Sequence, residues 1–263
     1  MSTSIEKKVY VVTGANRGLG LGLLQVLLAR PYHTVIVTVR SEKATQDLLN
    51  EISRAEKGEG STLHIAQFDF STAIPPEKVQ SVIAQFEIDH IDVLILNAGA
   101  AQSMRSAAQT TAEDLRMAFE VNTIAPLLVF QGLWPLLQKS PSKPKLIWIS
   151  SSVGSIGDME PVSGGAYGPS RAAQNWLTRA LHLENRKDNL IAIALHPGWV
   201  KTRMGYFAAD EWRSDPSDDL GPSIEVEQSV AKMLQVIDGA SEEDSGKFIN
   251  AVARSQDERV LPW

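Results

Sequence analysis

The chain contains no cysteine. Disulfides, thiolate nucleophiles and thiolate metal sites are therefore excluded, and the absence fits a cytoplasmic protein. Histidine is scarce too. His33, His64, His90, His182 and His196 show no ligand-type spacing, so no metal centre is expected. No apolar run approaches the length of a membrane span. The opening MSTSIEKKVYVVTG is polar before it turns into a strand, and it has no secretory apolar region. Positive charge is in deficit: the formal net charge of -6 argues against nonspecific binding to nucleic acid or to an anionic membrane surface. What the chain does have is apolar residues, 43% of its 263, enough for a large core. One α/β domain spanning 1–263 can hold that length.

Short apolar runs alternate with helix-like segments from end to end. Lys8–Val12, His33–Val39, Leu63–Phe68, Val93–Leu96, Leu146–Ile149, Ile191–Leu195 and, more weakly, Phe248–Val252 read as strands. HTVIVTV is β-branched after His33, as a strand covered on both faces should be. Helices are expected over Leu19–Ala29, Glu77–Phe86, Ala112–Lys139, Tyr167–Asn185 and Ile224–Ile237, with Ser41 and Thr110 or Thr111 as caps. This alternation predicts a doubly wound, Rossmann-type parallel sheet of about seven strands with helices on both faces. The polar stretch Arg203–Pro222 breaks the pattern and reads as a substrate lid or a mobile loop around 199–222.

The first strand runs into Thr13-Gly14-Ala15-Asn16-Arg17-Gly18-Leu19-Gly20. Three glycines in a strand-to-helix turn allow close backbone approach, and the helix N-terminus that follows offers free N–H groups to a pyrophosphate. The end of the second strand reports the cofactor type. An acid there would hold the ribose 2′-OH of NAD. Instead the place holds Arg40, with no acid until Glu42, and Arg17 adds a second charge from the glycine turn. Two guanidinium groups favour a 2′-phosphate, hence NADP(H).

Further along, Tyr167 and Arg171 stand four apart in AYGPSRAAQNWLTRAL, on one face if the run is helical. A phenol beside a fixed positive charge has a stabilised anion. Together with the cluster Ser150-Ser151-Ser152, this outlines a site that exchanges a proton with a substrate oxygen.

TGANRGLG, Asn97-Ala98-Gly99, Tyr167-x-x-x-basic and Pro197-Gly198-Trp199-Val200-Lys201-Thr202 occur in an order that resembles the short-chain dehydrogenase/reductase family over nearly the whole chain. TGANRGLG, PGWVKT and the ending LPW are most similar to its fungal carbonyl and polyketide ketoreductases. The resemblance implies an NADP(H) site on Gly14, Asn16, Arg17, Gly18, Leu19, Gly20 and Arg40. Asp69 would lie at the adenine amino group, with Phe70 beside it. Asn97, Ala98 and Gly99 would border the adenosine ribose. Pro197, Gly198 and Val200 would shape the nicotinamide pocket, and Thr202 would bond its carboxamide. Tyr167 and Arg171 serve both cofactor and catalysis in this scheme. Asn122, in FEVNTIAP, matches the asparagine that organises a water relay. Ser151, three before Gly154, matches the active serine, with Ser152 and Ser155 as runners-up.

One departure stands out. The family has lysine where this chain has Arg171, bonded to the nicotinamide ribose. Arginine keeps the charge but is planar, bulkier and unable to release a proton. The leading expectation is an NADPH-dependent reductase of a mid-sized hydrophobic or aromatic carbonyl compound, with Tyr167 as proton donor. The alternatives are a nucleotide-binding protein without redox turnover and a cofactor-bound cyclase or isomerase. Loops 101–104, 155–163 and 199–212 would line the substrate, with Ile156, Met159, Trp199, Met204, Tyr206, Phe207 and Trp212 as apolar surface. The family's contact between its two long helices implies a homodimer or homotetramer.

Overall fold

The strands form where β-branched and aliphatic residues run without a polar break, and their burial on both faces forces a layer of helices on each side. The computed structural model describes residues 7–213 and 220–263. Within them, β1 (Lys8–Val12), β2 (His33–Val39), β3 (Thr62–Gln67), β4 (Val93–Leu96), β5 (Lys145–Ile149), β6 (Ile191–His196) and β7 (Lys247–Asn250) are parallel. A two-residue strand, β8 (Val260–Leu261), adds antiparallel to β7. The sheet order is β3-β2-β1-β4-β5-β6-β7-β8. It reverses between β1 and β4, which opens a crevice past their carboxyl ends, the usual ligand position in such sheets. About seven strands were expected. The eighth is too short to leave a periodic signal.

Alternate residues of β1 enter opposite cores. Tyr10 and Val12 meet Leu23, Leu24 and Leu27 of α1 (Gly18–Ala29). Val9 and Val11 belong to the other core, with Val79 and Ile83 of α3 (Pro76–Ile83), which follows α2 (Glu42–Glu51). Ser41 caps α2 by accepting from the Ala44 amide at 3.3 Å.

The single helix expected over Ala112–Lys139 is two. Thr111 and Asp114 form a reciprocal cap on α4 (Ala112–Phe119). A π-helical turn over Glu120–Ile124 then leads into α5 (Ala125–Leu137). α6 (Tyr167–Glu184) matches its expected span. The stretch read as a lid or mobile loop holds a helix, α7 (Arg203–Trp212), whose start is capped by Thr202 Oγ1 accepting from the Gly205 amide at 3.1 Å. Residues 214–219 of that stretch lie outside the described residues. α8 (Val226–Gly239) begins two residues later than expected, because Ile224 pairs with Val200 in a parallel bridge. Among the described residues, no helix is long and apolar enough to cross a membrane.

At the amino end of β4, buried Asp92 accepts from the Val9 amide at 2.8 Å and from Ser140 Oγ at 2.6 Å. His90 lies between Asp92 and Asp89, at 3.2 and 2.7 Å. Burial works against a charged His90, but the two carboxylates outweigh it and raise its pKa. A raised folded pKa gives stability that is complete below the ordinary value of about 6.5 and is lost as pH rises through the folded value. His90→Gln is therefore expected to lower stability by about 1 kcal/mol near pH 6, with the gap to wild type shrinking as pH rises through the folded value. Urea unfolding across that range checks it, and a pH-independent gap would contradict the ion pair.

Candidate active site

The first strand ends in a turn stitched to both neighbours. Thr13 Oγ1 accepts from the Asn97 and Ala98 amides at 3.0 and 2.9 Å, tying β1 to β4. Asn97 Nδ2 returns two bonds, to the Thr13 and Gly14 carbonyls at 2.9 and 3.1 Å. The Gly14 and Ala15 amides both reach the Thr38 carbonyl of β2 at 3.1 Å. Gly14 has φ +70°, which favours glycine. A side chain on Gly20 would collide with the Gly14 carbonyl and lie 2.6 Å from Asn97 Nδ2, so only glycine lets α1 start there. No side chain caps α1. Its first amides thus face the crevice without a side-chain partner, as a phosphate site requires. Leu19 turns its side chain into the core, and Asn16 sits part-exposed in the turn.

Arg17 and Arg40 are exposed at the mouth of this turn. A third arginine joins them. Partial burial, then the charges of Arg203 and Arg40, hold the Arg17 guanidinium below its ordinary pKa. Arg203 opens α7, and Thr202 Cγ2 would lie 3.5 Å from a side chain on Gly18, so the start of α7 packs on the glycine turn. The sequence reading missed Arg203, whose signal was only a basic residue after PGWVKT. Among the described residues, none of these three guanidinium groups pairs with a carboxylate. Asp69 is held below the usual carboxylate range by Ser71, whose hydroxyl and amide both bond it, and by the nearby Arg40. Phe70 stacks on Phe68. Val200 and Pro197 are buried, and the Pro197 carbonyl accepts from Ser229 Oγ at 2.7 Å.

Tyr167 is the first residue of α6 and is 8% exposed. The Arg171 guanidinium lies over its ring at 4.9 Å, so the spacing of four does bring cation and phenol together. Arg171 itself is buried. Its Nη1 donates to the Ile149 carbonyl at 3.0 Å and to Gln174 Oε1 at 2.5 Å, and its Nε is buried without a partner. Gln174 Nε2 donates to the same Ile149 carbonyl at 3.1 Å. Gln174 was not foreseen; three residues after a buried cation, it is on the right face to bind one. Asn122 is fully buried and both of its side-chain donors are engaged. It accepts from the Ala100 amide at 2.8 Å and donates to the Ala100 carbonyl and to Ser170 Oγ, at 2.9 and 3.0 Å. The side chain thus clamps the end of β4 to α6, and the π turn lies around it.

Of the candidate serines, Ser155 is buried, donating to the Pro262 carbonyl at 2.8 Å. Ser150 is tied to Asn175. Ser151 accepts from the Val153 amide and caps the 3₁₀ turn Ser152–Gly154. Ser151 and Ser152 both keep hydroxyl protons with no acceptor among the described residues. The Ser152 amide donates to His196 Nδ1 at 3.1 Å. Burial pushes the His196 imidazole down to about 4, so near pH 7 it is neutral and can accept. His196 was considered only as a metal ligand; its place is under the serine turn.

The three loops expected to line a substrate do meet. Tyr167, Met104 and Ala208 form one apolar cluster with Val153, Met204, Phe207 and Trp212 against it. Trp212 Nε1 donates to the Ser163 carbonyl at 2.8 Å, and Glu211 accepts from the Met104 amide at 2.9 Å. Trp199 donates to the Gly205 carbonyl and packs on Trp212. α7 is therefore fastened over Tyr167 by both of its neighbours.

A family model described as short chain dehydrogenase matches residues 8–211. A short-chain dehydrogenase srdF of Neurospora crassa is 34% identical over 98% of both chains. A norsolorinic acid ketoreductase of Aspergillus parasiticus is 33% identical, covering 98% of this chain and 92% of that one. Among solved structures, an NADPH-bound carbonyl reductase from chicken fatty liver is 33% identical with TM-score 0.79, covering 98% of this chain and all of that one.

A methyl on Gly99 would collide with Arg171 Nη2 and stand 3.3 Å from Asn122 Oδ1, so both side chains converge there. Gly99→Ala is expected to cost about 1–3 kcal/mol by overpacking, and most of that loss should vanish in an Arg171→Met background. Additive losses in a thermal-unfolding double-mutant cycle would place the guanidinium elsewhere.

Proposed function

The chain belongs to the short chain dehydrogenase family, and from that premise we propose that it is an NADPH-dependent reductase of ketones or aldehydes. The observation that carries the reading is the buried Tyr167 phenol seated on the Arg171 cation inside an apolar pocket. The residues present fit NADPH. The cradle at Gly20 admits no side chain, the α1 amides are uncapped, and three arginines share one charge-crowded place. The glycine turn and α1 would hold the pyrophosphate, Arg17 and Arg40 the 2′-phosphate, and Asp69 and Phe70 the adenine. Thr202 would take the carboxamide. When bound, the reduced nicotinamide supplies the hydride.

The chain's own residues do the rest. Ser151 and Tyr167 hold the substrate oxygen by their hydroxyls, and Tyr167 gives it a proton as negative charge develops there. Arg171 places a positive charge over the Tyr167 ring, opposite in sign to the charge left when the phenol gives up its proton. His196 and Asn122 position the serine turn and the end of β4. Met104, Val153, Met204, Phe207 and Trp212 exclude water and select an apolar, mid-sized or aromatic carbonyl compound. The named activities of the ketoreductase and carbonyl reductase relatives support the same class. Trp176 and Leu183 on α6 are 69% and 48% exposed, and Ile124 of the π turn is 42% exposed. That apolar surface supports a homodimer or homotetramer.

One observation favours a second reading, a nucleotide-binding protein without turnover. Arg171 Nη1 is committed to Ile149 and Gln174, so less of the guanidinium remains for a ribose. A stopped assay separates the two: the binder holds NADPH yet oxidises none of it across a broad panel of carbonyl compounds.

Tyr167→Phe keeps the ring on Arg171 and removes only the hydroxyl. It is expected to lower kcat by about 10²–10⁴ with the NADPH dissociation constant little changed; persistent turnover would refute Tyr167 as the proton donor. Arg40→Ala is expected to reduce the preference for NADPH over NADH by about tenfold, or about 1.4 kcal/mol. Fluorescence titration with both cofactors reads this, and an unchanged ratio would remove Arg40 from the phosphate site.

A further inference from the structure

The last residues run from β8 across the loop that follows the serine turn. Leu261 and Val260 pair with Phe248 and Ile249 of β7. Pro262 and Trp263 then meet three successive loop residues. Ser155 Oγ donates to the Pro262 carbonyl at 2.8 Å, and the Ile156 and Gly157 amides converge on the Trp263 main-chain oxygen at 3.0 and 2.7 Å. Ser155 Oγ also accepts from the Asp158 amide at 3.0 Å. A side chain on Gly157 would come within 2.9 Å of Pro262 Cβ, so the two segments lie in direct contact. The Trp263 indole is fixed in turn. It stacks on Phe248 of β7 at 5.9 Å, and the Arg179 guanidinium of α6 lies over it, also at 5.9 Å.

In the proposed reductase the loop held this way is the substrate side of the pocket. It starts one residue past the turn that Ser151 caps and ends at Ser163, whose carbonyl receives Trp212 of α7. It has no strand or helix of its own between Gly154 and Tyr167. Yet Ile156 and Met159 are each 70% exposed. Two large apolar side chains on an unsupported loop would turn inward to leave water. The Ser155 hydroxyl and the Ile156 and Gly157 amides oppose that collapse, and the acceptors of all three bonds are the Pro262 and Trp263 carbonyl oxygens.

We infer that Pro262–Trp263 is a strap, and Trp263 a positioning residue, that holds the 155–163 loop open with Ile156 and Met159 as an apolar lip for a bulky carbonyl substrate. The inference rests on the proposed carbonyl reduction for its substrate and on the bonds alone for its mechanics. The bonds and ring contacts of Trp263 run to Ile156, Gly157, Phe248 and Arg179, so its effect is expected in substrate binding rather than in cofactor binding.

Trp263→Ala in the full chain tests it. Hydrogen exchange at the Ile156 and Gly157 amides is expected to rise at least tenfold, with the β1–β4 core unchanged. KM for a bicyclic aromatic ketone such as 1-tetralone is expected to rise about tenfold, with KM for propanal and the NADPH dissociation constant within twofold and kcat little altered. Trp263→Phe, which can still stack on Phe248, should restore both. Ser155→Ala removes one strap bond and leaves the indole in place; it should shift exchange in the same direction by less, and it serves if Trp263→Ala does not fold. Unchanged exchange at 156 and 157, equal effects on the two substrates, or a uniform rise in exchange across the whole chain would each overturn the strap. If the wild type reduces no carbonyl compound, the reductase reading fails by itself, and exchange still decides whether the strap holds the loop.

Discussion

The Thr13 hydroxyl is the join on which the site depends. A parallel sheet that reverses its winding leaves a gap past the ends of β1 and β4, and backbone groups at that gap have no ladder to satisfy them. Thr13 and Asn97 close the account between them with four hydrogen bonds. Thr38 does the same on the other side, taking the Gly14 and Ala15 amides. The result is a turn held from both flanks. Its free amides belong to the uncapped α1, and they point where the fold has no partner of its own to give them.

Desolvation sets the second constraint. Arg171 is a cation buried to 3% exposure, and a charge so placed must be hydrogen-bonded or it costs several kcal/mol. The protein answers with the Ile149 carbonyl, Gln174 and the face of Tyr167. Nε remains unpartnered. A lysine here would present three donors from one mobile atom; the guanidinium presents five in a fixed plane, and the pocket satisfies them incompletely. Gln174 accepts from Arg171 by its Oε1 and donates by its Nε2 to the same Ile149 carbonyl that Arg171 bonds.

What could be read from the sequence follows from what each element depends on. β2 was legible to the residue because the six β-branched positions in a row after His33 admit few other structures. The glycine turn was legible because its chemistry lies in consecutive residues. The π turn was not. One extra residue in a helix leaves the apolar pattern on both sides intact, and the stop is set by Asn122 bonding Ala100, twenty-two residues away. α7 was hidden by the Asp, Ser and Pro that follow it, although Thr202 was a fair cap and RMGYFAADEW a fair helix. The Ile149 carbonyl that takes Arg171 and the Ser152 amide that meets His196 come from other elements, so no local spacing announces them. The choice of Ser155 as a runner-up illustrates the limit: its motif position was plausible, and only the approach of Pro262 shows that its hydroxyl is already engaged.

The pocket and the cofactor cradle are thus fastened by different residues, and this has a consequence for how the site can vary. Thr13, Thr38 and Asn97 hold the cradle through bonds to main chain, which any side-chain change at the pocket leaves untouched. Trp212, Glu211 and Ser155 hold the substrate loops through bonds that end on the Ser163, Met104 and Pro262 main chain. The apolar residues between those fastenings, Met104, Met204 and Phe207 among them, carry no hydrogen-bonding duty by their side chains. They can change size without loosening either frame. Tyr167 and Arg171 join the two systems, because the cation that lies over the phenol ring also abuts Gly99 at the end of β4. A replacement of lysine by arginine at that point acts on both at once. It keeps a positive charge over the phenol ring and fixes it to Ile149, so in the proposed reductase electrostatic support for proton transfer would survive while direct contact with the cofactor ribose would be reduced. The two effects separate along the usual line between catalysis and binding: the first enters kcat, the second the affinity for the cofactor.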